Sequence, residues 1–370
     1  MVFFSRYNST MEDVLTFFRD PGTARRLVQE IEAAVGLLGR PVALMEVCGT
    51  HTMAVSRWGL RKLLPANLKL LSGPGCPVCV TAQDTIDYAI ELARHKDVII
   101  TTFGDMVKVP GSKGFLPTEK TRIVYAPTDA LNLALSNPRQ KVVFLGVGFE
   151  TTAPTIAATI KKAGKHRKVD NFLVISAFKL VPPALRAILQ LKKLKVDGLI
   201  LPGHVSTIIG SQAYQFIARD FSVPCAITGF EPVDILEGIR LILRQIQDRK
   251  PAIAIQYRRV VRPEGNRTAQ QVMKEVFAVD KARWRGLGVI PDSGLTLREE
   301  FVQFQAEKVF PMQMTPAPEP KGCICGQVLT GSKNPLACRL FAKKCTPTNP
   351  VGPCMVSSEG SCAAYYKYER

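Results

Sequence analysis

Eight apolar runs of strand length recur between residues 41 and 258, and segments with apolar residues at helical spacing separate them. The runs do not alternate with polar residues, which is typical of strands buried on both faces. Short buried strands that alternate with helices form parallel α/β layers. The candidate strands are residues 41–48, 68–73, 97–104, 141–149, 171–178, 197–203, 224–230 and 251–258.

A chain of 370 residues is long enough for two or three domains. We predict an α/β fold with two doubly wound parallel-sheet lobes facing a cleft, plus a cysteine-rich C-terminal domain. The predicted first lobe is 38–130 and the second is 131–260, with a crossover helix and loop around 125–140. We expect a helical segment at 1–37, packed with the C-terminal domain, and a helical linker leading into the cysteine-rich part within 261–370.

Six of the ten cysteines lie in the last 48 residues. Thiolates select iron–sulfur clusters, zinc or copper(I), and without a signal-peptide pattern we expect a cytoplasmic protein with reduced thiols. Zinc sites usually contain two tight C-x2–4-C pairs, which this segment lacks, so its wide spacing favours a [4Fe–4S] cluster. The predicted ligands are Cys325, Cys338, Cys345 and Cys362, with Cys323 and Cys354 as alternates.

Two further cysteine motifs follow predicted strands. Cys76 and Cys79 form a C-x-x-C pair at a strand-to-helix turn, a spacing that suits a disulfide or a shared metal, although free cysteines are often simply buried. Cys48 precedes His51 by three residues, and its role as a metal ligand, a nucleophile or a buried thiol is open. We favour a constellation of Cys48, Cys76 and Cys79, with His51 as a ligand or a proton carrier.

Glu150, His204 and Asp105 also come directly after predicted strands. In open parallel sheets, ligand sites collect beyond the carboxyl ends of the strands. We therefore predict that these side chains line the cleft and carry protons or position a partner, with helix capping as the alternative for Glu150. Cys225, inside an apolar run, is predicted to be a core residue.

The formal net charge of +18 raises the question of nucleic-acid binding. The basic residues are scattered along the chain, and no RNA-binding or helix-turn-helix pattern accompanies them, so we predict no nucleic acid. Solvated helix faces and an acidic protein partner explain the charge more simply. The longest apolar runs are too short to span a membrane, so we expect no membrane association.

Taken together, the motifs closely resemble those of the HypD family of hydrogenase maturation factors. The resemblance extends from about residue 40 to the C-terminus. The motifs that carry it are CGTHT (48–52), GPGCPVC (73–79), FGDM (103–106), GFETTAP (148–154), PGHVS (202–206) and the tail pattern from CICG to AAYY (323–366).

The resemblance implies a redox-active scaffold, rather than an ordinary turnover enzyme, for assembling the Fe(CN)2CO group of [NiFe]-hydrogenase. Its implied partners are a small HypC-type chaperone that shares the iron and a HypE-type carrier that delivers cyanide as a thiocyanate. Cys48 would bind the iron, Cys76 and Cys79 would act as a redox pair or as further ligands, and the tail cluster would supply electrons. We expect a monomer within a heterocomplex.

An iron–sulfur-dependent protein disulfide reductase is the alternative function. It would use the same tail cluster and the same C-x-x-C pair. It has no use for Cys48 and His51, so these two residues discriminate between the two functions.

Overall fold

The structure is a computed structural model that describes residues 16–165, 169–191, 194–314 and 318–370. Its strands are β1 (Val42–Glu46), β2 (Leu68–Ser72), β3 (Val98–Thr102), β4 (Thr121–Ile123), β5 (Lys141–Gly148), β6 (Phe172–Phe178), β7 (Gly198–Pro202), β8 (Cys225–Thr228), β9 (Ile253–Ile255), β10 (Phe277–Trp284) and β11 (Gly288–Leu297).

Seventeen α-helices lie with their full length in the described residues, and none of them is long and apolar enough to cross a membrane. They are α1 (Pro21–Leu38), α2 (Gly49–Arg57), α3 (Leu60–Leu63), α4 (Pro77–Val80), α5 (Gln83–Leu92), α6 (Gly104–Val107), α7 (Pro127–Ser136), α8 (Ala153–Lys165), α9 (Val181–Leu189), α10 (Gly203–Ile209), α11 (Gln215–Phe221), α12 (Pro232–Asp248), α13 (Arg267–Val276), α14 (Ala306–Val309), α15 (Cys325–Leu329), α16 (Pro353–Val356) and α17 (Ser361–Tyr368).

Two parallel sheets form the centres of two lobes. One has five strands in the order β2-β1-β7-β8-β9, and the other has four in the order β4-β3-β5-β6. This confirms the predicted α/β fold, and each of the eight candidate strands is a strand of one of these sheets. The three-residue β4 was not predicted, because so short a segment carries no readable period.

The two sheets do not divide the chain at residue 130, and the predicted lobes at 38–130 and 131–260 need correction. The chain leaves the five-stranded sheet after β2, builds the whole four-stranded sheet, and returns at β7. The helix predicted around 125–140 is present as α7, but it connects two strands of the same sheet. All the runs are similarly apolar, so composition cannot tell which strands pair.

Asp20 is the N-cap of the N-terminal helix α1, and its carboxylate accepts a hydrogen bond from the backbone N–H of Thr23 at 2.6 Å. It buries Leu27, Ile31 and Val35 in a cluster shared with α12 and the five-stranded sheet. The predicted packing of this segment against the C-terminal domain is therefore wrong for α1. Residues 1–15 of the predicted segment lie outside the described residues.

An antiparallel hairpin of β10 and β11 follows α13, where only a linker was expected. Its turn has positive φ angles at Gly286 (75°) and Gly288 (80°), which is the glycine signal typical of hairpins. The hairpin packs against β6 and α9, on the four-stranded lobe. A single buried cluster joins both lobes, the hairpin and the tail, and includes Met45, Leu145 and Trp284.

The end of the chain is anchored to the five-stranded sheet by a buried ion-pair network. Arg61 donates to Glu46 at 2.5 Å and to Glu369 at 2.8 Å, and the Glu46 side chain is fully buried. Removing one partner of a buried ion pair costs about 3–5 kcal/mol, because a buried charge is left uncompensated. Since Glu369 directly follows α17, this network holds the cysteine-rich tail against β1.

Candidate functional site

The strand order reverses at one place in each sheet, between β1 and β7 and between β3 and β5. Ligand sites in open α/β sheets lie at such points, beyond the carboxyl ends of the strands. Cys48 and His204 follow β1 and β7, whereas Asp105 and Glu150 follow β3 and β5. The predicted residues therefore lie at the two positions where the topology opens a crevice.

The loop that carries Cys48 lies directly on the loop that carries Cys76. The backbone N–H of Gly49 donates to the carbonyl of Gly75 at 2.8 Å. A Cβ atom on Gly75 would overlap the backbone of Cys48, and one on Gly49 would lie 2.6 Å from the Cβ and from the carbonyl oxygen of Glu359. Glycine at 75 therefore permits the approach of the two loops, and glycine at 49 permits the approach of the tail.

Cys76 and Cys79 form a disulfide with a Cα–Cα distance of 5.3 Å. Cys76 is the N-cap residue of α4, and its sulfur accepts a hydrogen bond from the backbone N–H of Cys79 at 3.2 Å. Both residues are buried. One helical turn thus brings the two sulfurs together, as the C-x-x-C spacing predicts.

Cys48 is buried, with only 8% of its surface exposed. Burial raises the pKa of its thiol to about 11, and the carboxylate of Glu359 adds to the shift. A nucleophilic cysteine needs the opposite shift. A bound metal cation, by contrast, deprotonates a coordinating thiol outright, so this environment favours a metal ligand over a nucleophile.

The ring of His51 is held in place through its Nε2 atom. Its Nε2 lies 2.9 Å from the carbonyl of Gly229 and 2.8 Å from the hydroxyl of Thr228, and a carbonyl only accepts, so Nε2 carries the proton. Burial lowers the pKa of His51 to about 4. Its Nδ1 is buried and finds no hydrogen-bond partner among the described residues, so a neutral ring presents a free lone pair.

Glu150 is buried at the end of β5, with 2% of its surface exposed. Its Oε1 accepts a hydrogen bond from the backbone N–H of Val181 at 2.8 Å, whereas Oε2 has no partner in the described part of the chain. Burial raises the pKa of Glu150 to about 7. A carboxyl group that titrates near neutrality is suited to exchanging protons.

His204 is exposed, and its ring lies 4.1 Å from the ring of Phe230, centroid to centroid. A second neighbour of Phe230 is the ring of His51, at 4.7 Å. The phenyl ring therefore lies against both histidines, one buried and one accessible to solvent. Phe230 belongs to the GFEP turn (229–232) that follows β8, but it was not predicted as a site residue.

A segment of the tail, Ser357–Ser358–Glu359, bridges the two switch points. Asp105 accepts hydrogen bonds from the hydroxyl of Ser357 at 3.2 Å and from the backbone N–H and hydroxyl of Ser358 at 3.0 and 3.2 Å. Glu359 accepts one from the hydroxyl of Thr50 at 2.7 Å. These residues were not predicted as site residues, although they lie between two tail cysteines.

All six tail cysteines line a single pocket. The sulfurs of Cys325 and Cys354 are 2.7 Å apart. Burial raises the pKa of the Cys362 thiol well above its usual value, and four other tail thiols add to the shift, namely Cys325, Cys323, Cys345 and Cys338. The six thiols that converge on this pocket are enough to supply the four thiolates of an iron–sulfur cluster. For a single metal ion, no group of three His, Cys, Asp or Glu residues in the described ranges has a suitable arrangement.

The amino-acid sequence was compared with protein-family models and with curated proteins. The HypD family model, described as "Hydrogenase formation hypA family", matches residues 22–369. The chain belongs to the HypD family. It is 44% identical to the hydrogenase maturation factor HypD of Escherichia coli (strain K12), over 95% of this chain and 97% of that protein.

Two further HypD-family relatives match over the same share of the chain. The maturation factor HypD of Cupriavidus necator is 42% identical, over 95% of this chain and 96% of the relative. The hydrogenase expression/formation protein HupD of Azotobacter chroococcum mcd 1 is 44% identical, over 95% and 96%. These matches support a role of this protein in hydrogenase maturation.

Replacing Gly75 by alanine tests the contact between the two loops. We expect Gly75→Ala to lower the free energy of unfolding by about 3 kcal/mol, because the added methyl group overlaps the backbone of Cys48. Gly36→Ala is the matched control: its site in α1 is open, so alanine should stabilise by about 1 kcal/mol. Urea denaturation measures both; equal stability of Gly75→Ala and the wild type would contradict the contact.

The buried carboxyl of Glu150 predicts a pH-dependent stability. Because burial raises its pKa from 4.5 to about 7, the unfolded chain loses this proton first, and folding stability declines between those two pH values. Glu150→Gln keeps the acceptor for Val181 and removes the titration. We expect it to match the wild type at pH 4.5 and to exceed its stability by about 3 kcal/mol at pH 8.

Chemical denaturation at the two pH values measures this difference. Exposed Glu119 provides the control, since Glu119→Gln should leave the unfolding free energy unchanged at both pH values. A stability gain of Glu150→Gln that is equal at pH 4.5 and pH 8 would show that the carboxyl does not titrate in this range.

Proposed function

We propose that the protein is an assembly scaffold for [NiFe]-hydrogenase maturation, on which an iron ion receives cyanide and CO ligands to form Fe(CN)2CO. The observation that carries this proposal is the direct contact of the Cys48 loop with the loop of the Cys76–Cys79 disulfide. A single iron-binding thiol beside a two-electron redox pair is what ligand attachment to iron requires.

Cys48 is the proposed iron ligand on the scaffold side. Its thiol stays protonated when free, because burial and Glu359 raise its pKa to about 11, and iron binding therefore releases a proton. Soft thiolates are well matched to low-spin Fe(II) that carries cyanide and CO. A small HypC-type chaperone supplies a second thiolate to the same iron.

Cys76 and Cys79 are the proposed electron source for cyanide release from a HypE-type thiocyanate. The dithiol reduces the S–CN bond in a two-electron step: the carrier regains its thiol, hydrogen cyanide leaves, and the pair becomes a disulfide. The two protons of the dithiol pass to the carrier sulfur and to cyanide. Glu150, His51, His204 and Asp105 are proposed to line the cleft as proton carriers or partner contacts.

The tail pocket is the proposed site of a [4Fe–4S] cluster, which when bound supplies single electrons that restore the dithiol. Each ligand of such a cluster binds a different iron, so two ligand sulfurs are not in contact. The 2.7 Å separation of the Cys325 and Cys354 sulfurs therefore disfavours both as ligands together. We propose Cys325, Cys338, Cys345 and Cys362 as the ligands, without Cys354.

The role of Cys48 is tested by infrared spectroscopy of the protein co-purified anaerobically with its small chaperone partner. We expect cyanide and CO stretching bands in the wild type and their loss in Cys48→Ala, because the iron loses its ligand. Cys225→Ala is the matched control, since Cys225 is an equally buried thiol within β8, and its bands should persist. Bands retained in Cys48→Ala would show that Cys48 is not the iron ligand, whereas a wild type without these bands would favour the disulfide reductase.

The ligand set of the tail is tested by iron and sulfide content after anaerobic purification. Cys325→Ala should lose most of the cluster iron, because one corner of the cluster has no thiolate. Cys323→Ala should keep it, although the two residues are separated only by Ile324. The reverse outcome would replace Cys325 by Cys323 in the ligand set.

A further inference from the structure

A cavity of about 360 Å³ lies between β6, the β10–β11 hairpin and α5. No cysteine lines it, and neither do His51, Asp105, Glu150 or His204, so it is separate from the site described above. Cavities of this size hold small molecules when a few polar groups converge within apolar walls.

Lys179 lines this cavity with only 5% of its surface exposed. Asp84 is the carboxylate whose charge acts on it, but Asp84 forms its ion pair with Arg283, at 3.2 Å. Burial lowers the pKa of Lys179 to about 8, and Asp84 offsets only part of this shift. A buried ammonium group without a direct counter-ion is costly, and a bound anion would stabilise it.

The backbone around Lys179 is rigidly held. Its own N–H donates to the carbonyl of Gly148 at 3.0 Å, and the N–H of Leu180 donates to the carbonyl of Ser293 at 2.9 Å. The N–H of Val181 donates to Glu150 at 2.8 Å. The backbone from which the lysine side chain extends is therefore fixed, so binding does not have to order this segment.

Glu307 is another polar group of the cavity wall. Its Oε2 is buried and has no hydrogen-bond partner in the described residues. Burial raises the pKa of this carboxyl, and its protonated form donates a hydrogen bond. The remaining wall combines apolar side chains with charged ones, namely Phe178, Leu295, Met312, Asp84, Asp280, Lys281 and Arg283.

We propose that this cavity binds a small carboxylate with an apolar body. The carboxylate pairs with the ammonium of Lys179 and accepts a hydrogen bond from Glu307, and the hydrocarbon part packs against the apolar wall. A single buried cation matches one negative charge, whereas inorganic phosphate carries more charge and has no apolar part for these walls. The occupant is a monocarboxylate rather than a general anion.

Calorimetric titration of the full chain with butyrate tests this assignment, with butyramide and inorganic phosphate as comparison probes. We expect butyrate to bind and both other probes to bind about tenfold more weakly or not at all. Lys179→Met should weaken butyrate binding by about tenfold or more. Lys281→Met is the matched control: Lys281 is exposed on the lining of the same cavity, and its loss should change the affinity by less than about twofold.

Unchanged butyrate affinity in Lys179→Met, or phosphate binding as tight as butyrate binding, would overturn the proposal. A wild type that fails to bind butyrate would overturn it as well. Circular dichroism establishes that each variant is folded. If Lys179→Met does not fold, Glu307→Leu serves instead, and it should weaken butyrate binding by about fivefold because the hydrogen-bond donor is lost.

Discussion

The contact between Gly75 and the backbone of Cys48 is the constraint on which the site depends. Without a Cβ at this position, two loops from neighbouring strands β1 and β2 approach to hydrogen-bonding distance, and Gly49 donates to Gly75. Any side chain here would push the disulfide loop away from Cys48. The proposed chemistry needs the iron-binding thiol and the redox pair side by side, and this glycine contact provides that proximity.

Burial without partners is the second physical feature of the site. The Nδ1 of His51 and the Oε2 of Glu150 are both buried and unpaired in the described part of the chain. Such groups are unfavourable for folding, and in native proteins they concentrate at functional positions. Burial shifts the pKa of His51 down to about 4 and that of Glu150 up to about 7. At neutral pH the imidazole is therefore uncharged and the carboxyl is close to its titration midpoint, in a crevice where a metal complex with anionic ligands is proposed to assemble.

The tail is tied into the lobes at both ends of the crevice. Ser357 and Ser358 donate to Asp105 on the four-stranded lobe, while Glu359 accepts from Thr50 beside Cys48. The Arg61 network fixes the last turn of α17 against β1. Because Cys354 and Cys362 flank the serine segment in the sequence, the cysteine pocket and the crevice belong to one connected structure, as the proposed electron supply to the iron would require.

Periodicity and residue type were enough to predict the α/β class, the eight principal strands and the position of Cys48, Glu150 and His204 at strand ends. These follow from local physics, because strand length, apolar runs and glycine turns are encoded over a few residues. The C-x-x-C spacing likewise determined that Cys76 and Cys79 are able to pair, since one helical turn separates them.

Only the tertiary structure decided which strands share a sheet, because similarly apolar runs do not specify their partners. It alone turned Nε2 of His51 toward Gly229, brought Cys325 against Cys354, and placed Glu359 against Thr50. It also buried Lys179 with no ion pair of its own among the described residues, which the residues around Lys179 in the sequence do not indicate. Each of these contacts joins residues that are distant in the sequence or depends on how side chains pack. The spacing of residues within a short segment determines neither.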